Sequence, residues 1–361
     1  MSVRRSSRPV AAWLMAGVFM LVVQMLLGGI TRLTGSGLSI THWDVITGTL
    51  PPLHESQWQD AFHKYQMTPQ FRLLNSDFSL GDFKSIFFWE WFHRFWARLM
   101  GIVFIAGFVI FSIQKRFTRE MIQPFVILFL LGALQGAVGW IMVASGLTGD
   151  AVYVNPTKLA LHFIFAMLLI CYTFWFALKL SVSENERIDA PGLQRFTGII
   201  LFLLTVQLIF GALMAGNKAA SAAPTWPDIN GHYLPPALFS HHPLSVNFVD
   251  NSLLIHVIHR NLAYLILLGV IVLTLSFKRI RKTPFLQSLY LLPLVFVFMQ
   301  VLLGILTVLN SVHIVPGHWG IFEWMAQLHQ LFGMLLLLSL VLLLFSVRGK
   351  TNRSHTFNTV N

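Results

Sequence analysis

Eight long apolar stretches constrain the fold of this chain more than any other feature of its sequence. A membrane-spanning helix needs about 20 largely apolar residues, and within lipid a helix satisfies its own backbone hydrogen bonds. Only 11% of the residues are charged, against about 25% in soluble domains. We therefore predict an all-α membrane protein with eight transmembrane helices. The predicted spans are 10–31, 91–113, 121–143, 159–178, 196–215, 255–277, 285–309 and 325–347.

The first apolar stretch could also belong to a signal peptide, because arginines precede it. Its apolar core from Val10 to Ile30 is longer than the roughly 7–15 residues of a signal sequence, and it lacks a small-residue cleavage site. We expect it to be retained as the first helix. The only cysteine, Cys171, excludes an internal disulfide and a cysteine-based metal site.

The net charge of +11 does not indicate a nucleic-acid partner. The basic residues form short clusters between apolar stretches, which is typical of membrane loops next to lipid headgroups. Most of the basic residues and few acidic ones lie in the termini and in three connections between predicted spans. These connections join the second span to the third, the fourth to the fifth, and the sixth to the seventh. The positive-inside rule then predicts cytoplasmic termini, with loops 32–90 and 216–254 outside. We expect a multi-pass protein of a bacterial inner membrane.

A Gln-x-x-x-Gly motif recurs through the chain and reveals two related halves. The first and fifth helices share it, and so do the third and seventh; Gly28 and Gly211 also precede Trp43 and Trp226 by the same 15 residues. We predict two parallel-related four-helix bundles, residues 1–183 and 184–361. The motif itself is interpreted as a helix-packing face. Its four copies are Gln24–Gly28, Gln135–Gly139, Gln207–Gly211 and Gln300–Gly304.

Four histidines follow the same repeat. His93 and His162 are separated by 69 residues, and His259 and His329 by 70. All four are predicted near the outer edge of the hydrocarbon core. Two imidazoles per half suit a six-coordinate haem iron better than zinc, which takes three or four protein ligands. Hydrogen-bonded packing or a proton relay is the alternative for any one of them.

An arginine follows the first histidine of each half. Arg94 and Arg260 could each pair with a haem propionate, since guanidinium binds carboxylates well. Snorkelling to lipid phosphate is the alternative.

The two halves differ at the position three residues before the first histidine of each half. The first half has Glu90 there, and the second has His256. A buried carboxylate in a membrane protein is costly unless it is used. Glu90 is therefore a candidate catalytic or proton-handling group. The structural alternative is an i, i+4 salt bridge to Arg94.

Four motifs resemble the haem A synthase family, over essentially all eight helices. The chain is most similar to its proteobacterial and mitochondrial-like branch, which has no cysteine pair in the outer loop. The motifs are Gly28-Gly-Ile-Thr-Arg-Leu-Thr-Gly-Ser-Gly-Leu-Ser-Ile-Thr-His-Trp43, Glu90-x-x-His93-Arg94, Asn155-Pro-Thr-Lys-Leu-Ala-Leu-His162 and His259-Arg260.

The resemblance implies an oxidoreductase that converts the C8 methyl of haem O into the formyl group of haem A for terminal oxidase assembly. It implies that His259 and His329, with Arg260, hold a haem b cofactor. It implies that His93 and His162, with Arg94, surround the iron of the substrate haem, and that Glu90 is needed for activity.

The implied partners are haem O, the protoporphyrin farnesyltransferase that makes it, and a quinone as electron acceptor; a homo-oligomer is compatible with the sequence. Two other functions remain open from the residues alone. A b-type electron-transfer cytochrome would hold two permanent haems, and a transporter would have broken helices near the bilayer midplane.

Overall fold

The computed structural model describes residues 2–41 and 47–349, so His42 and Trp43 lie outside the described residues. Within those ranges the protein is all helical apart from an isolated bridge between Ile229 and His232. Its α-helices are α1 (Ser2–Leu33), α2 (Glu55–Gln66), α3 (Pro69–Leu74), α4 (Leu80–Ile113), α5 (Arg119–Ala144), α6 (Pro156–Ser181), α7 (Pro191–Gly216), α8 (Asn247–Asp250), α9 (Ser252–Lys278), α10 (Pro284–Leu289), α11 (Leu292–Leu309) and α12 (Ile321–Ser346).

Eight segments of the described chain are long and apolar enough to cross a membrane, which confirms the predicted number of spans. Seven of them coincide with one helix each: α1, α4, α5, α6, α7, α9 and α12. The seventh span, Pro284–His313, is broken into α10 and α11. The break lies just before Pro293, whose ring lacks an N–H and clashes with the preceding turn.

The second span begins well before the predicted residue 91. Helix α4 starts at Leu80, because a capping box forms where Ser79 Oγ accepts the N–H of Asp82 and the Asp82 carboxylate accepts the N–H of Ser79. The extra turns pack against the outer-loop helices α2 and α3 through an aromatic cluster that includes Phe62, Tyr65 and Phe83. The sequence analysis did not predict these two helices.

Corresponding membrane helices pack in corresponding pairs. In the first half α1 packs against α4 and α6, and α5 packs against α6. In the second half α7 packs against α9 and α12, and α11 packs against α12. Helices α6 and α7, together with α1 and α12, join the halves. The largest buried core lies mainly in the second half, around Val270, Leu273, Phe277 and Leu340.

Candidate functional site

All four repeated histidines line one large cavity. Its volume is about 1880 Å³, and every membrane-spanning helix contributes to its wall. This is well above the roughly 300–1,000 Å³ of a typical small-molecule pocket. The structure therefore brings His93, His162, His259 and His329 together around a space suited to ligands of unusual size.

The second-half histidines face each other across this cavity. The ring centroids of His259 and His329 are 6.3 Å apart. Two imidazoles that each place a ring nitrogen about 2 Å from one metal ion have ring centres roughly 6 Å apart. The pair thus has a spacing that would allow both imidazoles to bind one metal ion.

Each histidine lies against the glycine of a Gln-x-x-x-Gly motif on a neighbouring helix. A Cβ at any of the four glycines would come within 3.3 Å of the imidazole, so a larger residue would displace the ring. The glycines therefore form cradles that a side chain would fill. The pairs are Gly28 with His93, Gly139 with His162, Gly211 with His259 and Gly304 with His329.

The glutamine of the motif controls which ring nitrogen of His329 is available. The backbone carbonyl of Gln300 accepts a hydrogen bond from His329 Nδ1 at 2.9 Å, so Nδ1 carries the proton. The Gln300 side-chain amide Nε2 lies 3.3 Å from His329 Nε2, whose lone pair accepts its N–H. A metal ligand needs this same lone pair, and a backbone carbonyl on the other nitrogen is a common way to orient it.

The other three glutamines lie against their histidines in a similar way. Side-chain Nε2 atoms of Gln135 and Gln207 lie 3.3 Å from ring nitrogens of His162 and His259, and Gln24 donates to the His93 carbonyl. The buried Oε1 atoms of Gln24, Gln135, Gln207 and Gln300 have no partner, nor has His259 Nδ1.

The glycine cradles and the paired imidazoles fit a haem. In residues 2–41 and 47–349, no three His, Cys, Asp or Glu side chains come together as a metal-ion ligand set. A haem iron needs only two protein ligands, because the porphyrin supplies the other four.

Glu90 is buried, with 2% of its surface exposed, and both of its carboxylate oxygens are hydrogen-bonded. Oε2 accepts from the N–H and Oγ of Ser39, both at 2.7 Å, and from the N–H of Ile40 at 2.9 Å. Oε1 accepts from Arg94 at 2.5 Å. The salt bridge considered from the sequence is therefore present, and the carboxylate also fastens the loop after α1 to α4.

His256 performs the equivalent task in the second half. Its Nε2 donates to the carbonyl of Ala219 at 2.6 Å, which ties down the loop after α7. Arg94 donates to the carbonyl of Ile40, and Arg260 donates to those of Ala223 and Asp228. Both arginines line the cavity, and both brace an outer loop.

The Asp228 side chain is part of the same loop structure. Its carboxylate accepts the N–H of Gly231 at 2.9 Å. That hydrogen bond lowers the pKa of the Asp228 carboxyl below its usual range, with Thr225 and Arg260 acting in the same direction. The Asp228 carboxylate therefore holds the turn that contains Gly231.

Two features of the site were not predicted from the sequence. The Gln-x-x-x-Gly motifs were interpreted as helix-packing faces, whereas their glycines and glutamines contact the histidines. Arg32 was not singled out; it lines the cavity and donates to the carbonyl of Ala215 at the end of α7. The recurrence of the motif was the available signal for the first feature, and for the second the signal was the place of Arg32 within the Gly28–Trp43 motif.

Comparison with known proteins assigns the chain. The COX15-CtaA family, described as cytochrome oxidase assembly protein, matches residues 11–341. The chain belongs to this family. It is 37% identical over 339 residues to a heme A synthase of Flavobacterium psychrophilum, covering 92% of this chain and 96% of that protein. It is 42% identical over 311 residues to a heme A synthase of Bradyrhizobium diazoefficiens, covering 85% of each.

The buried contacts of Glu90 lead to a stability prediction for this family member. We expect Glu90→Ala to cost about 3–5 kcal/mol, because it leaves the Arg94 charge and the loop donors unpaired. Asp60→Ala is the matched control: it removes an exposed i, i+4 partner of Lys64 and should cost only ~0–1 kcal/mol. Thermal unfolding in detergent measures both, and equal melting temperatures would contradict the buried clamp.

Proposed function

We propose that this protein is a haem A synthase, which oxidises the C8 methyl of haem O to a formyl group. The observation that carries the proposal is one cavity with two glycine-cradled imidazole pairs, in which the buried carboxylate of Glu90 precedes His93 by three residues where the second half has His256. The curated relatives carry the name of this activity. They favour it over electron transfer alone and over transport.

The two halves have different tasks in this proposal. Residues 1–183 form the substrate half, in which His93 and His162 flank the haem O iron and Arg94 lies beside them. Residues 184–361 form the cofactor half, in which His259 and His329 hold haem b next to Arg260. The 6.3 Å separation and the fixed His329 tautomer support a permanent ligand pair in the second half.

Methyl oxidation to a formyl group requires two successive two-electron oxidations, with water supplying the oxygen and protons released at each stage. Haem b, when bound, supplies a one-electron redox centre. Glu90 is the proposed proton acceptor, since Ser39, Ile40 and Arg94 hold its carboxylate in one orientation on the face of α4 that carries His93. A quinone is the proposed final electron acceptor.

We also propose a location and a supplier. The eight spans make the chain a multi-pass membrane protein, which we assign to the bacterial inner membrane with cytoplasmic termini. Haem O would come from the farnesyltransferase that attaches its isoprenoid chain. Self-association into a homo-oligomer is compatible with this arrangement.

The orientation is tested by labelling single cysteines in a Cys171→Ala background. We expect a membrane-impermeant maleimide to label His241→Cys in intact spheroplasts, because the 216–254 loop faces outward. Arg281→Cys should be labelled only after lysis, because the basic connection between the sixth and seventh spans faces the cytoplasm in this topology. The reverse pattern would invert the topology.

The cofactor assignment predicts different results for the two histidine pairs. His259→Ala and His329→Ala should each lose the haem b that copurifies with the protein, because one axial ligand and its cradle contact are removed. His93→Ala and His162→Ala should retain it. Absorption spectra of the purified variants provide the measurement, and undiminished haem b in both second-half variants would exclude this ligand pair.

The proton-acceptor role is tested by Glu90→Gln, which keeps the size and an accepting oxygen but cannot take up a proton. We expect haem b to be retained and haem A to be absent, with haem O or its alcohol intermediate accumulating. Chromatography of haems extracted from expressing cells measures this. Wild-type levels of haem A would show that the carboxylate serves only as a clamp.

A further inference from the structure

The two halves differ in the contact between their second and third spanning helices. In the second half α9 packs against α11. The corresponding α4 and α5 of the first half hardly approach each other, although both line the central cavity. A slit between α4 and α5 is therefore a feature of the first half alone.

Three glycines leave the cavity-lining walls of α4 and α5 without side chains at this slit. Gly101 on α4 and Gly132 and Gly136 on α5 all line the cavity, and a Cβ at any of them would meet no atom within 4 Å. Unlike the cradle glycines, they face empty space. Gly101 lies eight residues beyond His93, and Gly132 lies seven before Gly139. At 1.5 Å per residue the slit extends about 10–12 Å inward from the histidines.

The repeat shows what fills the same positions in the second half. Counted from the matching histidine and cradle glycine, the counterparts of Gly101, Gly132 and Gly136 are Leu267, Val297 and Val301. Val297 is 1% exposed within the main core, and Leu267 packs against that core. Each open glycine therefore corresponds to a branched aliphatic residue, and two of these residues, Leu267 and Val297, pack in the core of the second half.

The slit connects the cavity to the lipid-facing surface. Ile105 on α4 and Phe129 on α5 both line the cavity, yet they are 60% and 63% exposed. Towards the inner end the slit is closed, because the rings of Phe108 and Phe125 meet at 5.8 Å. The opening is thus apolar, continuous with the site of His93 and His162, and of limited depth.

We propose that the α4–α5 slit binds the isoprenoid chain of haem O and makes the first half selective for it. This inference rests on the proposed function. Haem O differs from haem b in carrying a long isoprenoid substituent, which needs an apolar channel leading away from the porphyrin. The filled second half has room only for a haem without that chain, so the glycines assign the two haems to their sites.

Haem titrations of the purified protein, already loaded with haem b in the second half, test the slit. We expect the wild type to bind haem O more tightly than added haem b. Gly132→Val and Gly136→Val should weaken haem O binding at least about tenfold, because the new side chain overlaps the isoprenoid chain. Binding of added haem b should be unchanged. Alanine at the same positions should give intermediate effects.

Gly198→Val is the matched control, since Gly198 on α7 faces open space and does not line the cavity. The absorption of the second-half haem b reports correct folding in every variant. If the glycine variants keep the wild-type preference for haem O and the wild type forms haem A, the proposed role of the slit is wrong but the proposed function stands. A wild type that forms no haem A from bound haem O would overturn the proposed function, whereas the binding ratios would still decide the slit.

Discussion

Each of the four cavity histidines lies so close to a neighbouring membrane helix that the helix has no room for a Cβ at that point. The cradles at Gly28, Gly139, Gly211 and Gly304 meet this condition four times, and each sets the position of one histidine. At Gly304 the same helix turn provides the Gln300 carbonyl that fixes the His329 tautomer. The spacing of the helices, the facing histidines and the cavity between them all depend on this contact, because a larger residue would push ring and helix apart.

The different tasks proposed for the two halves depend on small local changes. Glu90 and His256 occupy equivalent positions and both fasten an outer loop, but only Glu90 brings a negative charge, which is paired with Arg94. The open glycines of α4 and α5 are replaced by aliphatic residues at the equivalent places in α9 and α11. In the proposed assignment, these differences suit the first half to a haem that must enter, react and leave, and the second half to a haem that stays.

Much of this could be predicted from the sequence, because membrane helices and repeats leave strong patterns. The eight apolar stretches predicted the spans, and the matched spacing of His93–His162 and His259–His329 predicted that they would meet. The helices of the 32–90 loop were missed, since α2 and α3 are stabilised by aromatic packing against α4 rather than by a strong periodic pattern. The contacts between the glutamines and the histidines were missed as well. The sequence does not show how each helix is rotated about its axis, and this rotation decides whether a Gln-x-x-x-Gly face contacts a neighbouring helix backbone or a histidine ring. The division into halves 1–183 and 184–361 stays a prediction.

The central claim is that the halves hold different haems, and the pigments of the purified wild-type protein test it most directly. After expression together with a haem O supply, extraction and chromatography should yield haem b together with haem O or haem A. The haem b should remain bound through washing that removes the others. Two equivalents of haem b, with no other haem, would contradict the account and leave a symmetric electron-transfer protein.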